Sequence, residues 1–323
     1  MHLFNYCKQL LLTSCLALLS LHATATQYHN EELRANKIIN QLYHSLNGKP
    51  NLDLSTRITI ISAQFLGKPY VLGALGESIE GKYDQSPLYR ADAFDCETYV
   101  DTVIALALAQ DLDEFKRRIN QVRYRDGHVS YIDRNHFTCL DWNQNNQRQG
   151  LVKDITTTLR DEHHQMVAKY ARGLIDKPAW YNHKSIDTIR LNTRDSGEHA
   201  KRLESLKRKG SQLPRSTSII PYIPLTALFD STGKANQYLF NQIPNAAIIE
   251  IIRPNWDLSQ NIGTHLNVSH LGFVILKKGR LQFREASSTK GRVVDVPLID
   301  YLQNARKSPT IKGINIQVVL PPS

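Results

Sequence analysis

Two residues in this chain are of the types that form a nucleophile and its general base. Cys96 stands at the predicted start of an apolar helix, and His270 lies in a strand-like run. A cysteine at a helix N-terminus has its thiolate stabilised by the helix dipole and by free backbone N–H groups. The same N–H groups can bind an oxyanion, and an imidazole can supply the base that the thiol needs. The pair is suited to acyl transfer through a thioester, but a strand histidine and a helix-start cysteine are also common as structural residues, so their surroundings must decide.

Two further residues bear on that pair. Glu285, on the next predicted strand, can accept the second imidazole proton and fix the tautomer of His270. Cys139 lies in a partly apolar run, which favours a buried structural thiol. In an oxidising compartment Cys96 and Cys139 could instead form a disulfide, which would silence the nucleophile.

The elements that must position these residues follow from hydrophobic periodicity. Helices are predicted over 30–46, from 53–55 to 66, over 96–109 with Asp95 as the cap, and around 114–122. Strands are predicted over 247–252, 268–276, 281–285 and 314–319, with a hairpin tip at Lys278-Gly279. Helices followed by an antiparallel sheet predict an α+β fold. We expect one catalytic domain over 26–323, with an irregular or helical insertion around 150–215.

The N-terminus is typical of an export signal. Lys8 precedes an apolar run over 10–21, and Ala23-Thr24-Ala25 places small residues where a signal peptidase cuts. We predict removal of residues 1–25 and a periplasmic or secreted protein. The run is short for a membrane anchor. A lipobox-like Leu12-Thr13-Ser14-Cys15 is the other alternative, but the apolar run continues beyond Cys15.

The composition is that of a globular protein with a basic surface. The formal net charge of +10 favours a polyanionic partner, whether nucleic acid, anionic lipid or acidic cell-wall polymer, and does not choose among them. Basic residues cluster between 194 and 215, which is typical of a solvated helix face. A landing patch for an anionic polymer is the functional alternative.

Metal catalysis is disfavoured by the spacing of the histidines. His163 and His164 are adjacent and point apart, while His265 and His270 have no cysteine or carboxylate cluster beside them. The sequence implies no metal and no cofactor.

The motifs around the nucleophile and base resemble those of NlpC-type peptidoglycan hydrolases, which are papain-like cysteine enzymes. Four segments follow the same order, namely 67–70, 94–100, 269–275 and 285–287. Further segments resemble the N-acetylmuramoyl-L-alanine amidase-like branch, namely 75–77, 123–127, Tyr131, 134–136, 141–142 with Asn146, and 243–245. The resemblance covers most of 55–305. It implies a papain-like NlpC-type fold in which N-terminal helices, with the nucleophile at a helix N-terminus, pack on a C-terminal antiparallel sheet.

Site residues follow from this resemblance position by position. It implies that Cys96 is the nucleophile, that His270 is the general base, and that Tyr70 faces the nucleophile and helps to polarise the carbonyl. The position of the third catalytic residue departs from the family pattern, because Glu285-Ala286-Ser287 stands where relatives usually have His-Ala-Ser. A glutamate can still orient His270 and stabilises its imidazolium better than a neutral histidine.

The polar, aromatic stretch over 124–142 is expected to form one wall of the substrate-binding site. Arginines there could pair with carboxylates of a stem peptide through two parallel hydrogen bonds. Trp142 could stack on a sugar ring or fill the core. The predicted substrate-binding residues are Glu77, Arg123, Arg125, Arg134, Asn135, Trp142 and Asn146.

The resemblance implies hydrolysis of the amide between N-acetylmuramic acid and L-alanine, with peptidoglycan or a muropeptide as substrate. It implies no nucleic-acid partner and no stable membrane insertion. Two alternatives stay open. One is an endopeptidase that cuts between D-glutamate and the diamino acid. The other is an inactive wall-binding protein, which the Glu285 departure and the basic 194–215 segment motivate.

Overall fold

An antiparallel sheet runs through the computed structural model, which describes residues 30–47 and 52–322. The predicted signal segment, 1–25, lies outside the described residues, so its removal stays a prediction. The strands are β1 (Val152–Asp154), β2 (Lys169–Asp176), β3 (Arg215–Pro224), β4 (Ile248–Leu258), β5 (Thr264–Lys277), β6 (Arg280–Ser287), β7 (Arg292–Pro297) and β8 (Gly313–Val319). Their order is β2-β3-β8-β4-β5-β6-β7, and β1 pairs with β8. These neighbours pair antiparallel, which confirms the predicted α+β class.

Four helices lie at the positions that the periodicity predicts. They are α1 (30–47), α2 (Leu54–Ala63), α3 (Cys96–Leu108) and α4 (Leu112–Arg123). Further helices follow in the chain, namely α5 (Asn143–Arg148), α6 (Lys177–Asn182), α7 (Ser196–Gly210), α8 (Leu225–Leu228), α9 (Gln237–Phe240), α10 (Ser259–Ile262) and α11 (Leu298–Ala305). Every residue of α3 from Thr98 to Leu108 is buried. The nucleophile helix is therefore the central helix of the core.

Strand β5 separates two apolar clusters because its side chains alternate between the faces of the sheet. Leu271 and Phe273 pack with the buried residues of α1 to α4. Val274 faces the opposite side, where it packs with Phe283 and with Leu302 of α11. The strand that carries His270 is thus fixed from both sides.

The segment 150–215 differs from its prediction. It contains α7, but it also contains β2, which pairs with β3 along its whole length from Lys169↔Tyr222 to Asp176↔Arg215. Exposed Lys and Arg side chains and Gly173 interrupt the apolar pattern by which β2 could be recognised in the sequence. A Cβ at Gly173 would lie 2.9 Å from the Asn267 side-chain oxygen, so the glycine permits the close approach of β5.

The basic cluster lies largely on α7. Arg202 pairs with Glu198, and Arg208 with Glu204, each one helical turn apart. This arrangement matches the interpretation as a solvated helix face. Across the described ranges, 30–47 and 52–322, the helices are all too short or too polar to cross a bilayer.

Candidate active site

Cys96 is the first residue of α3, and the cap of this helix fixes its position. The Thr98 N–H donates to Asp95 Oδ1 at 2.9 Å, and the Asp95 N–H donates to Thr98 Oγ1 at 2.9 Å. The second carboxylate oxygen of Asp95 accepts from the Gly73 N–H at 3.0 Å. This reciprocal cap therefore also holds the loop that faces the nucleophile.

The environment of Cys96 favours the thiol over the thiolate. Burial raises the pKa of Cys96, and the neighbouring carboxylates of Asp95 and Glu97 raise it further. The backbone N–H groups of Leu271 and Glu97 act in the opposite direction but do not outweigh these effects. The backbone N–H of Glu97 at the helix start favours the thiolate, as expected, but burial and the two carboxylates favour the thiol, so a base is needed.

The imidazole of His270 is held by a buried carboxylate. Its Nε2 hydrogen-bonds to Glu285 Oε2 across β5 and β6, and the Glu285 side chain is only 6% exposed. An ionised Glu285 would only accept hydrogen bonds and would place the imidazole proton on Nε2. Nδ1 would then carry the free lone pair.

A cavity of about 160 Å³ joins Cys96 to His270. Cys96, Glu97, His136, Cys139 and His270 are among the residues that line it. The Cys96 sulfur also accepts from the backbone N–H of Leu271, the residue that follows His270 in β5. Cys96 and Cys139 are both free thiols, and Cys139 is buried, as the structural-thiol interpretation predicts.

Two tyrosines border the centre. Burial and the nearby charges of Cys96 and Asp95 raise the pKa of Tyr70 to about 12, so its hydroxyl stays a donor. Burial, followed by the charges of Glu285 and Cys96, also raises the pKa of Tyr301 on α11. Tyr70 was expected from its motif. Tyr301 was not, since nothing in the local sequence of α11 marks it.

A cleft of about 510 Å³ leads away from Cys96. Three stretches that are distant in the chain form its walls, namely the loop before α3 with its first turns, the segment after α4, and the segment after β2. The residues that line it include Leu72, Gly73, Asp84, Glu97, Asp101, Arg123, Tyr131, Arg134, His136, Trp180, Lys184, Asp187 and Arg190.

Two of the predicted substrate-binding arginines line this cleft. Arg134 pairs with Glu77, with an Nε–Oε1 distance of 2.8 Å, and with Asp84 at 3.2 Å. Arg123 is 4% exposed and donates to the backbone carbonyls of Gly76 and Leu88. Glu77 is buried and serves here as the partner of Arg134.

The other predicted binding residues lie outside the cleft. Arg125 pairs with Asp133 on the surface. The side-chain amides of Asn135 and Asn146 both donate to the carbonyl of Val122 at the end of α4. These three residues fix the segment after α4 and do not line the Cys96 cleft.

Trp142 belongs to the core. It has no exposed surface, and its Nε1 donates to Asp101 Oδ1 at 2.7 Å. Burial raises the pKa of Asp101 to about 7. A fully buried ring cannot stack on a sugar, so the structure selects the core-filling alternative. The tryptophan that lines the cleft is Trp180.

Trp180, Lys184 and Arg190 are cleft residues that the motifs miss. They lie on the segment that follows β2, within the predicted insertion. A strand followed by a Pro-containing helix start at Asp176-Lys177-Pro178 is the only local signal for this segment. In the described part of the chain, no group of three or more His, Cys, Asp or Glu residues has the arrangement of a metal site.

Similarity to known proteins covers the whole of this site. The model of the N-acetylmuramoyl-L-alanine amidase-like family matches residues 60–311. The chain belongs to this family. A crystal structure from Legionella pneumophila str. Philadelphia 1, assigned to DUF1460, is 58% identical, with a TM-score of 0.88 over 91% of this chain and 97% of that one.

More distant structures of the family share the fold. A crystal structure of an N-acetylmuramoyl-L-alanine amidase from Bacteroides uniformis ATCC 8492 is 21% identical, with a TM-score of 0.54 over 82% of this chain and 98% of that one. At this identity the likeness concerns the fold. No curated protein matches the chain.

Proposed function

We propose that this protein is a cysteine-dependent N-acetylmuramoyl-L-alanine amidase with an NlpC-type, papain-like active site. The observation that carries the proposal is the placement of Cys96, at the first turn of α3, beside His270, whose Nε2 is held by Glu285. The family match over 60–311 includes all three residues. The amidase name of the Bacteroides uniformis structure supports the same reaction class.

The reaction begins at the protonated thiol. His270 Nδ1 takes the proton of Cys96 while the sulfur attacks the lactyl carbonyl of N-acetylmuramic acid. The tetrahedral intermediate collapses when His270 gives this proton to the departing amine of L-alanine. Water, deprotonated by His270, then hydrolyses the thioester and releases Cys96. Glu285 stabilises the imidazolium that forms in both halves of the reaction.

The developing oxyanion has donors at the start of α3. Asp95 occupies the N–H groups of Thr98 and Tyr99, whereas the Cys96 N–H has no acceptor among residues 30–47 and 52–322. The Tyr70 hydroxyl stays protonated at neutral pH. We assign these two donors to the oxyanion.

The compartment belongs to the same proposal. The export-like segment 1–25 favours a periplasmic or secreted enzyme, where peptidoglycan is accessible. Intact wall and released muropeptides contain the same bond.

Product analysis tests the proposal. Residues 26–323, as wild type and as Cys96→Ala, are incubated with defined muropeptides, and the products are identified by mass spectrometry. We expect free stem peptide and a lactyl-bearing sugar from the wild type alone. A cut within the peptide would assign the other bond, between D-glutamate and the diamino acid. Equal turnover by Cys96→Ala would overturn the nucleophile, and no cut by either protein would overturn the enzyme assignment.

A further inference from the structure

The guanidinium groups of the cleft are already bound within the protein. Arg134 and Arg190 share the buried carboxylate of Asp84, which is 1% exposed. Arg190 also donates to the backbone carbonyls of Gly73 and Leu75. Arg123 holds two further carbonyls. These arginines shape the walls of the cleft, and most of their N–H donors already bind acceptors within the protein.

Lys184 differs from these arginines. Its Nζ lies 3.3 Å from the centroid of the Trp180 ring, which fixes the ammonium group over an aromatic face. In the described ranges, 30–47 and 52–322, no oxygen accepts a hydrogen bond from this group and no carboxylate pairs with it. Asp187 also lines the cleft, but its carboxylate accepts from Ser185 Oγ at 3.4 Å and forms no ion pair with Lys184.

The surroundings of Lys184 favour an anionic ligand. Burial, followed by the positive charge of Arg134, lowers the pKa of Lys184 to about 8. The neighbouring His136 is neutral, because burial and the charges of Arg134 and Lys184 lower its pKa well below the usual value. A half-buried cation with no counter-ion gains more from a bound anion than a solvated lysine does, since water screens it less.

The proposed reaction indicates which anionic group of the substrate Lys184 would bind. The stem peptide begins with L-alanine, whose carboxyl group is in a peptide bond, so the first free α-carboxylate beyond the cut bond is that of D-glutamate. A cleft of about 510 Å³ that opens at Cys96 and contains Lys184 has the size of a small-molecule site. We propose that Lys184 binds the α-carboxylate of the second stem-peptide residue and so selects stems in which this group is not amidated. This inference rests on the proposed function.

Binding to two matched ligands tests the inference without turnover. The Cys96→Ala protein and a Cys96→Ala/Lys184→Gln protein are titrated calorimetrically with muramyl-L-alanyl-D-glutamate and with muramyl-L-alanyl-D-isoglutamine. The ligands differ only in a carboxylate against an amide. We expect Cys96→Ala to bind the D-glutamate ligand about 10-fold to 100-fold more tightly, as a charge-assisted hydrogen bond predicts, and the double variant to lose this preference.

Two control proteins separate charge at this site from general effects. Lys184→Arg in the Cys96→Ala background keeps the cation and should keep most of the preference. Lys82→Gln removes another lysine that stands over an aromatic ring, at 5.5 Å from the Tyr83 centroid, but lies outside the Cys96 cleft. It should leave the preference unchanged.

The outcomes distinguish this inference from the proposed function. Equal affinity of Cys96→Ala for the two ligands, no measurable binding of either, or an undiminished preference in the double variant would each overturn the role of Lys184. Turnover of the same two muropeptides by the wild-type chain, followed by mass spectrometry, decides the amidase function separately. A lost preference together with an absent cut would keep the carboxylate site and reject the amidase.

Discussion

At the scale of single residues, the centre depends on which imidazole nitrogen carries the proton. In the proposed mechanism, Glu285 fixes that proton on Nε2, and the thiol of Cys96 holds its own proton until His270 Nδ1 removes it. The tautomer of His270 and the raised pKa of the Cys96 thiol both follow from burial beside carboxylates. The residue that replaces the usual histidine of the family pattern thus has a specific partner in this protein.

Glu285→Gln should lower kcat/KM by roughly 10²-fold to 10⁴-fold while the protein stays folded. An amide can turn its NH₂ group towards Nε2, which would place the imidazole proton on Nδ1 and remove the base. The measurement is steady-state hydrolysis of a muropeptide, with circular dichroism as the check on folding.

Asp295→Asn is the matched control for Glu285→Gln. Asp295 is a carboxylate on the adjacent strand β7, and it pairs with Arg284 at 2.6 Å, away from His270. Asp295→Asn should lower stability and leave kcat/KM of the folded protein within a few-fold of the wild type. Equal losses of activity in the two variants would show that Glu285 acts only through the sheet.

The structure brings Cys96 and His270 to one cavity, whereas only two of the predicted binding arginines line the cleft. Cys96 and His270 each lie in a local pattern that periodicity can recognise, namely a helix start and a buried strand. An arginine has no such local pattern. Arg134 and Arg125 have internal carboxylate partners that only the folded chain brings close.

At the scale of elements, the capped start of α3 links stability to catalysis. Asp95→Ala would remove the acceptor of the Thr98 N–H and the tie to Gly73, at a cost of about 1–2 kcal/mol in the free energy of unfolding. It should also lower kcat by more than tenfold, because the Cys96 N–H and Sγ lose their fixed position. Urea unfolding and turnover of the same samples measure both effects.

Asp111→Ala provides the comparison for that cap. Asp111 caps α4 by accepting from the Glu114 N–H at 2.8 Å, and it does not line the cleft. It should cost a similar free energy of unfolding, about 1 kcal/mol, with kcat unchanged. If both variants lose activity in proportion to stability, the α3 cap has no special place in catalysis.

Elements with strong apolar periodicity are those that the sequence predicts. Helix α3 and strands β4, β5, β6 and β8 lie close to their predicted positions because a buried face dictates their residue types. Strands β2 and β3 are not predicted from the sequence. Lys169 and Arg172 face outward on β2, and Pro221 and Pro224 lie within β3, where proline normally argues against a strand.

At the scale of the whole molecule, long-range carboxylates join the parts that surround the site. Asp84 connects Arg134, which follows α4, to Arg190, which follows β2. Glu250 on β4 accepts from Asn143 at 3.1 Å and from Gln317 at 2.9 Å, so it connects α5 to β8. Neither link has a signature in the local sequence, because each depends on partners about 50 to 107 residues away.

Because of Glu250, we expect the free energy of unfolding to fall as the pH rises. Burial raises its pKa from the usual 4.5 to about 8 in the folded state. Between these values the folded chain binds a proton that the unfolded chain has released. The stabilisation is therefore complete below pH 4.5 and is lost as the pH rises through 8, with a slope of up to about 1.4 kcal/mol per pH unit.

Glu250→Gln should flatten that slope, whatever its effect at a single pH, because the amide has no proton to lose. The free energy of unfolding is measured by urea titration at several values from pH 5 to pH 8. Glu204→Gln removes an exposed carboxylate of α7, so it should keep the wild-type slope. If Glu250→Gln keeps the wild-type slope as well, the buried carboxylate is ionised in the folded protein. In that case Asn143 and Gln317, which both donate to it, outweigh its burial.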